Sequence, residues 1–159
     1  MSTLYVYRDG EYHAASSEEV LAAAQTLITR RFRAGVRILN SPARVYEALR
    51  IRYGTLPHEI FGALFLDAQR RLIAIEELFR GTTDAVPVYI REVVKAAVLH
   101  GCSEIVLFHN HPSAGVEPSL ADRGITHRLK SALALIDVHL LDHLIIGEGC
   151  YSFREHDLL

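Results

Sequence analysis

The stretch LFHNHPSAGVEPSLAD, residues 107–122, sets His109 and His111 two positions apart at the end of an apolar run, with Asp122 eleven residues after the second. Side chains at i and i+2 of a strand leave the same face, so both imidazoles can reach one ion. Helical zinc pairs use i, i+4 instead. Two nitrogens and one carboxylate oxygen leave a fourth tetrahedral position for water, the usual form of a catalytic zinc site. A zinc-bound water needs a base to accept its proton, and a carboxylate is the common choice. Glu59, Glu76, Glu77, Glu92, Glu104 and Asp142 are the acidic candidates outside this stretch. Spacing does not choose among them.

The elements that must position these groups are legible on either side. EIVLFH reads as a buried strand and SLADRGITHRLKSALALI as a helix that Gly124 weakens. Ser119 and Asp122 open that helix in a capping-box-like S-x-x-D, and Asp122 falls in the first turn, where the helix dipole favours a carboxylate. Capping alone would explain this pair. The whole pattern, H-x-H-P-x(6)-S-x-x-D on a strand–loop–helix unit, is far more specific.

Upstream, LYVYRDGEYHAA is an Asp-Gly hairpin, and Ser16 with Glu19 forms a capping box for the helix that follows. SPARVYEALRIRYG is a second helix, with Ser41 as N-cap, Pro42 at its first position and Gly54 as terminator. Residues 60–66 and 72–79 read as strands joined by a polar turn at 67–70. PVYIREVVKAAVLHG reads as a helix ending at Gly101, and VHLLDHLIIG with YSF as a final strand pair. This alternation predicts an α/β domain, a mixed sheet flanked by helices.

The chain's 159 residues fit one domain. Lys+Arg 17 against Asp+Glu 19 gives a net charge of -2, without the electrostatic footprint of a nucleic-acid binder. Arg30, Arg31 and Arg33 read as a solvated helix end. Cys102 and Cys150 make no disulfide framework, no apolar run is long enough to span a bilayer, and residues 1–16 lack a signal pattern. A cytoplasmic protein with no membrane partner is expected. Asp142 and His143 are a competing metal pair, but strand neighbours face opposite ways, so at most one joins the site. A core or sheet-face role is expected for them, and a surface position for His58.

The histidine–serine–aspartate pattern with an upstream glutamate resembles the JAMM (MPN) metalloprotease motif. LFLDAQRRLIAIEELFRGT, VYIREVVKAA, HNHPS and LLDHLIIG are similar to the RadC-like branch of that superfamily, from about Leu39 to the C-terminus. The resemblance implies a JAMM-type α/β fold at 39–159, a single mixed, curved sheet with helices on both sides. Residues 1–38 would form a hairpin and helix packed on it. By carry-over His109, His111 and Asp122 would bind one zinc ion. Glu59, in PHEIFGALFLD, would be the general base, and Ser119 would stabilise the oxyanion. The implied activity is zinc-dependent hydrolysis of a peptide or isopeptide bond in a peptide or protein substrate.

Ala114 interrupts the branch's usual HNHPSG and Ile90 replaces a frequent proline, departures that leave the ligand spacing intact. Long RadC proteins also carry an N-terminal helical extension, for which this chain is too short; that weakens a DNA-repair reading. The alternatives are a non-catalytic metal-binding scaffold or a DNA-repair-associated factor.

Overall fold

The computed structural model describes residues 3–31, 35, 42–82, 85–113 and 115–159. The chain divides into two compact units, Met1–Arg31 and Phe32–Leu159. In the first, strands β1 (Tyr5–Arg8) and β2 (Glu11–Ala14) form a hairpin, and α1 (Ser17–Arg31) follows. Asp9 and Gly10 both have positive φ, 50° and 88°, as the twist-matched two-residue hairpin turn requires. The Ser16–Glu19 box closes with both bonds, Glu19 N–H to Ser16 Oγ at 3.2 Å and Ser16 N–H to Glu19 Oε2 at 2.9 Å. Ser41 and the side chains of the arginine cluster lie outside the described residues.

The second unit contains α2 (Pro42–Tyr53), β3 (Ile60–Leu66), β4 (Leu72–Arg80), α3 (Ile90–His100), β5 (Glu104–Asn110), α4 (Leu120–Ala134), β6 (His139–Ile146) and β7 (Cys150–Ser152). Its five strands run in the order β4-β3-β5-β6-β7. Among the described strands of this sheet only β5 and β6 pair in parallel, and a parallel pair needs a crossover. Here α4 is that crossover, so its N-terminus comes to the carboxyl end of β5. This is where α/β sheets place their ligand sites.

Period-two alternation sorts the core into two layers. Ile60, Leu64 and Leu66 of β3, with Val106 and Phe108 of β5, pack on Val45, Leu49 and Tyr53 of α2. Phe61, Ala63 and Phe65, with Ile105 and Leu107, pack on the other face against α3 and α4. Fully burying each such large side chain stabilises the fold by roughly 1.5–3 kcal/mol. Helices therefore cover both faces, as the alternation of elements predicts. Gly62 is required by this packing: a Cβ there would lie 2.5 Å from the Glu76 carbonyl oxygen and closer still to the Phe108 ring.

Two details depart from expectation. In PVYIREVV the helix starts only at Ile90; residues 85–89 lie outside it, and Tyr89 is extended. Val86 and Val88 pack on the α3/α4 core, which outweighs helix continuation. In β6 a bulge opposite Ile105 and Val106 pairs Leu140 and then Asp142, skipping Leu141. Leu141 and Asp142 thus both face the α2 side, while His143 turns to the other.

Candidate metal centre

His109 lies at the end of β5 on the α3/α4 face, buried, its ring stacked on Phe61 with centroids 6.2 Å apart. His111 sits just past the strand, where its N–H donates to the Ile146 carbonyl at 2.9 Å and continues the parallel ladder. Its Nδ1 is 3.0 Å from the Gly115 carbonyl. A carbonyl only accepts, so Nδ1 carries the proton, and in the neutral imidazole Nε2 offers a lone pair. Asp122 is the third residue of α4. Its Oδ2 accepts from Ser119 N–H at 2.8 Å and Ser119 Oγ–H at 2.5 Å, while Asp122 N–H donates to Ser119 Oγ at 3.1 Å. One Asp122 oxygen is anchored by the cap. The other, Oδ1, faces His109 Nε2 at 3.3 Å.

The donor atoms of His109, His111 and Asp122 all lie within 4.8 Å of one another. The two Nε2 atoms are 2.9 Å apart, and His111 Nε2 is 3.8 Å from Asp122 Oδ2. Zinc holds nitrogen and oxygen at about 2.0–2.2 Å, which spaces ligand atoms on one ion roughly 3–4 Å apart. The spacings of 2.9 Å between the two Nε2 atoms and 3.3 Å from His109 Nε2 to Asp122 Oδ1 fit that demand, and His111 Nε2 reaches the same carboxylate through Oδ2 at 3.8 Å. Burial pushes the His109 pKa down to about 4, with the Asp122 carboxylate opposing and His111 adding to the fall. At neutral pH the Asp122 carboxylate therefore meets a neutral imidazole, not a cation. Electron-pair donors converge here, a set whose chemistry suits a bound cation.

Glu59 reaches the same place from β3. It shares the parity of Phe61, and it lines a cleft of about 350 Å³ with His109, His111, Ser113, Ser119 and Asp122. Its backbone is held on one side by Thr82 and Gly81: Glu59 N–H donates to the Thr82 carbonyl at 2.8 Å, and Gly81 N–H to the Glu59 carbonyl at 2.9 Å. On the other side the β3–β5 pairing ends at Phe61 and His109, and the Asn110 side chain takes over from the ladder. Asn110 Oδ1 accepts from Ile60 N–H at 2.7 Å, and its Nδ2 donates to the His58 carbonyl at 3.1 Å. The middle residue of H-N-H thus fixes the backbone on both sides of Glu59. Gly81 lets residues 85–86 fold back over the cleft, since a Cβ there would lie 2.6 Å from the Val86 Cα. Val86 and Val88 then wall it with Ile125.

The remaining acids are engaged elsewhere. Glu76 meets His100 Nε2 at 2.8 Å, Glu77 meets Arg80 at 2.7 Å, and Glu104 meets Arg70 at 3.4 Å. Glu92 lies between Arg91 and Lys95 on α3. Asp142 accepts from Ser152 Oγ at 2.6 Å, His143 N–H at 2.7 Å and Arg154 N–H at 3.1 Å. It lines a separate cavity of about 410 Å³ beside Tyr46 and Arg154, away from the histidines. His58 is half-buried, its Nε2 out of reach of solvent, and not the surface residue its sequence context suggests.

Asn110 escapes a reading by motif, and His143 takes the core role expected of it but with a link to His109 that the motif does not indicate. Asn110 stands on the α2 face of β5, so its link to the site runs through the backbone of β3 alone. His143, fully buried, lies with its Nε2 2.9 Å from His109 Nδ1, and burial holds its pKa well below the ordinary histidine range. The LLDHLIIG segment contains it without indicating which face it takes.

Asn110→Ala strips the partners from the buried Ile60 N–H and the His58 carbonyl. Two such groups cost on the order of 2–4 kcal/mol. Urea unfolding should show that loss, and a change below about 0.5 kcal/mol would mean the amide is no anchor.

A mixed sheet with helices on both faces, paired histidines ending a central strand and an aspartate opening the crossover helix define the JAB (MPN) class of α/β domain. Residues 39–158 match the family described as "RadC-like JAB domain", and the chain belongs to that family. It is 47% identical over 143 residues to a "UPF0758 protein" of Janthinobacterium sp. (strain Marseille), covering 89% of this chain and 63% of the relative. It is 45% identical over 151 residues to a "UPF0758 protein" of Variovorax paradoxus (strain S110), 94% of this chain and 67% of the relative. A "UPF0758 protein" of Stenotrophomonas maltophilia (strain R551-3) is 49% identical over 140 residues, 87% of this chain and 60% of the relative. The chain thus spans between 60% and 67% of the length of these curated relatives. Among the described residues, no helix is long and apolar enough to cross a membrane.

Proposed function

We propose that this domain is a zinc-dependent metallohydrolase that cleaves a peptide or isopeptide bond in a peptide or protein substrate. The observation that carries the reading is the meeting of His109, His111 and Asp122 in one cleft with Glu59 on its wall. His109, His111 and Asp122 would hold the zinc ion, which when bound would supply Lewis acidity to polarise a carbonyl and acidify water. Glu59 takes the water's proton and later delivers it to the leaving amine. Ser119 turns its hydroxyl toward the developing oxyanion, a contribution of about 3 kcal/mol when aligned. Its backbone N–H meanwhile keeps Asp122 in place. Val86, Val88 and Ile125 offer apolar contact to side chains flanking the scissile bond. Free thiols at Cys102 and Cys150 suit a reducing cytoplasm.

The test is cleavage of peptide pools by the purified chain before and after chelation, beside DNA titrations across salt. Chelation should reduce hydrolysis at least a hundredfold, and added zinc should restore it. DNA affinity should be no tighter than roughly 10⁻⁴ to 10⁻⁶ M at physiological salt. Salt-steep DNA binding with zinc-dependent nicking would overturn the proposal.

A further inference from the structure

We propose that Thr126 and His143 are positioning residues that fix which nitrogen of His109 carries its proton before any metal arrives. The inference rests on the reading of His109 as a ligand. Thr126 Oγ, on α4, lies 2.5 Å from the Asp122 carbonyl oxygen and 2.6 Å from His143 Nδ1. A carbonyl can only accept, and two oxygens at that distance need a proton between them. The single hydroxyl proton of Thr126 is therefore committed to Asp122. His143 Nδ1 must then donate to Thr126 Oγ.

The polarity propagates from there. A neutral imidazole carries one N–H, so His143 Nε2 becomes an acceptor. It lies 2.9 Å from His109 Nδ1, which must be the donor. His109 Nε2 is left as a bare lone pair, aimed at His111 Nε2 and Asp122 Oδ1. The opposite polarity would put a proton on His109 Nε2 and block ligation. Thr126, His143 and His109 are 1%, 0% and 2% exposed, so the chain runs through the protein interior. Metal-ligating histidines commonly have their second nitrogen fixed by such a partner. Here the first turn of α4 sets two ligands together, Asp122 directly and His109 through the relay.

A merely structural role would leave the His109 tautomer unmoved by loss of the Thr126 hydroxyl, so the tautomer is the deciding readout. Long-range ¹H–¹⁵N correlation spectra of the metal-free wild type at pH 7.5 should show His109 as the Nδ1–H form. Thr126→Val deletes the acceptor at nearly constant volume. It should move His109 toward the Nε2–H form and weaken zinc binding roughly 10–100-fold in chelator competition. Thr126→Ser should restore both. An Nε2–H His109 in the wild type, or wild-type tautomer and zinc affinity in Thr126→Val, would overturn the relay. Should the wild type bind no zinc, the ligand reading falls with it, whereas the zinc-binding outcome leaves the relay to be decided by the tautomer alone.

Discussion

Glu59→Gln is expected to bind zinc as the parent chain does while hydrolysing peptide at least a hundredfold more slowly, the ordinary scale of general-base loss. The substitution keeps side-chain length and cannot accept the water's proton. It also leaves untouched the backbone bonds that hold residue 59, which run to Thr82, Gly81 and, through its neighbours, Asn110. The far-UV spectrum should therefore match the parent, which separates lost chemistry from lost fold. A fully active variant would sink the assignment, because Glu76, Glu77 and Glu104 are paired elsewhere and Asp142 lines another cavity.

His111→Ala is expected to leave the protein folded and nearly devoid of zinc after purification. His111 sits at the rim, where its side chain bonds the Gly115 carbonyl, and its ladder bond to Ile146 is made by the backbone. Truncating it removes one of three protein ligands with little packing lost. Zinc affinity should fall by roughly two orders of magnitude or more, beyond the 10–100-fold typical of losing an outer partner. Elemental analysis reads the result directly. Near-stoichiometric zinc in the variant would take His111 out of the ligand set. His109→Ala would be less clean, since that ring is also part of the core beside Phe61.

Much of the architecture was open to reading from local pattern. Buried runs such as IFGALFL and EIVLFHN became β3 and β5, and the Ser16 and Ser119 caps opened their helices. The convergence of His109, His111 and Asp122 follows from short-range geometry, a two-residue strand period and a helix start eleven residues on. What local pattern could not convey depends on pairing between distant segments. Family resemblance and not spacing points to Glu59, because its approach to the histidines needs β3 laid beside β5. PVY looks helical in the sequence because its apolar side chains look alike in either state, and tertiary packing decides between them. Asn110 is hidden for the same reason, since it acts across to a neighbouring strand; His143 is legible as a core or sheet-face residue, but not as a partner of His109, because the register of its strand is set elsewhere.

That register has a consequence of its own. The extra residue at Leu141 works like a frameshift in β6. Read without it, the same letters would bring Asp142 opposite Leu107 and so onto the histidine side, leaving His143 against α2. An anion would then stand behind His109, drawing its proton rather than accepting it within a neutral chain. Whether the centre is backed by a charge or by an uncharged ring is thus decided by a single inserted residue. Insertion and deletion in this strand, more than substitution, are the changes that would recast the electronic character of the ligand.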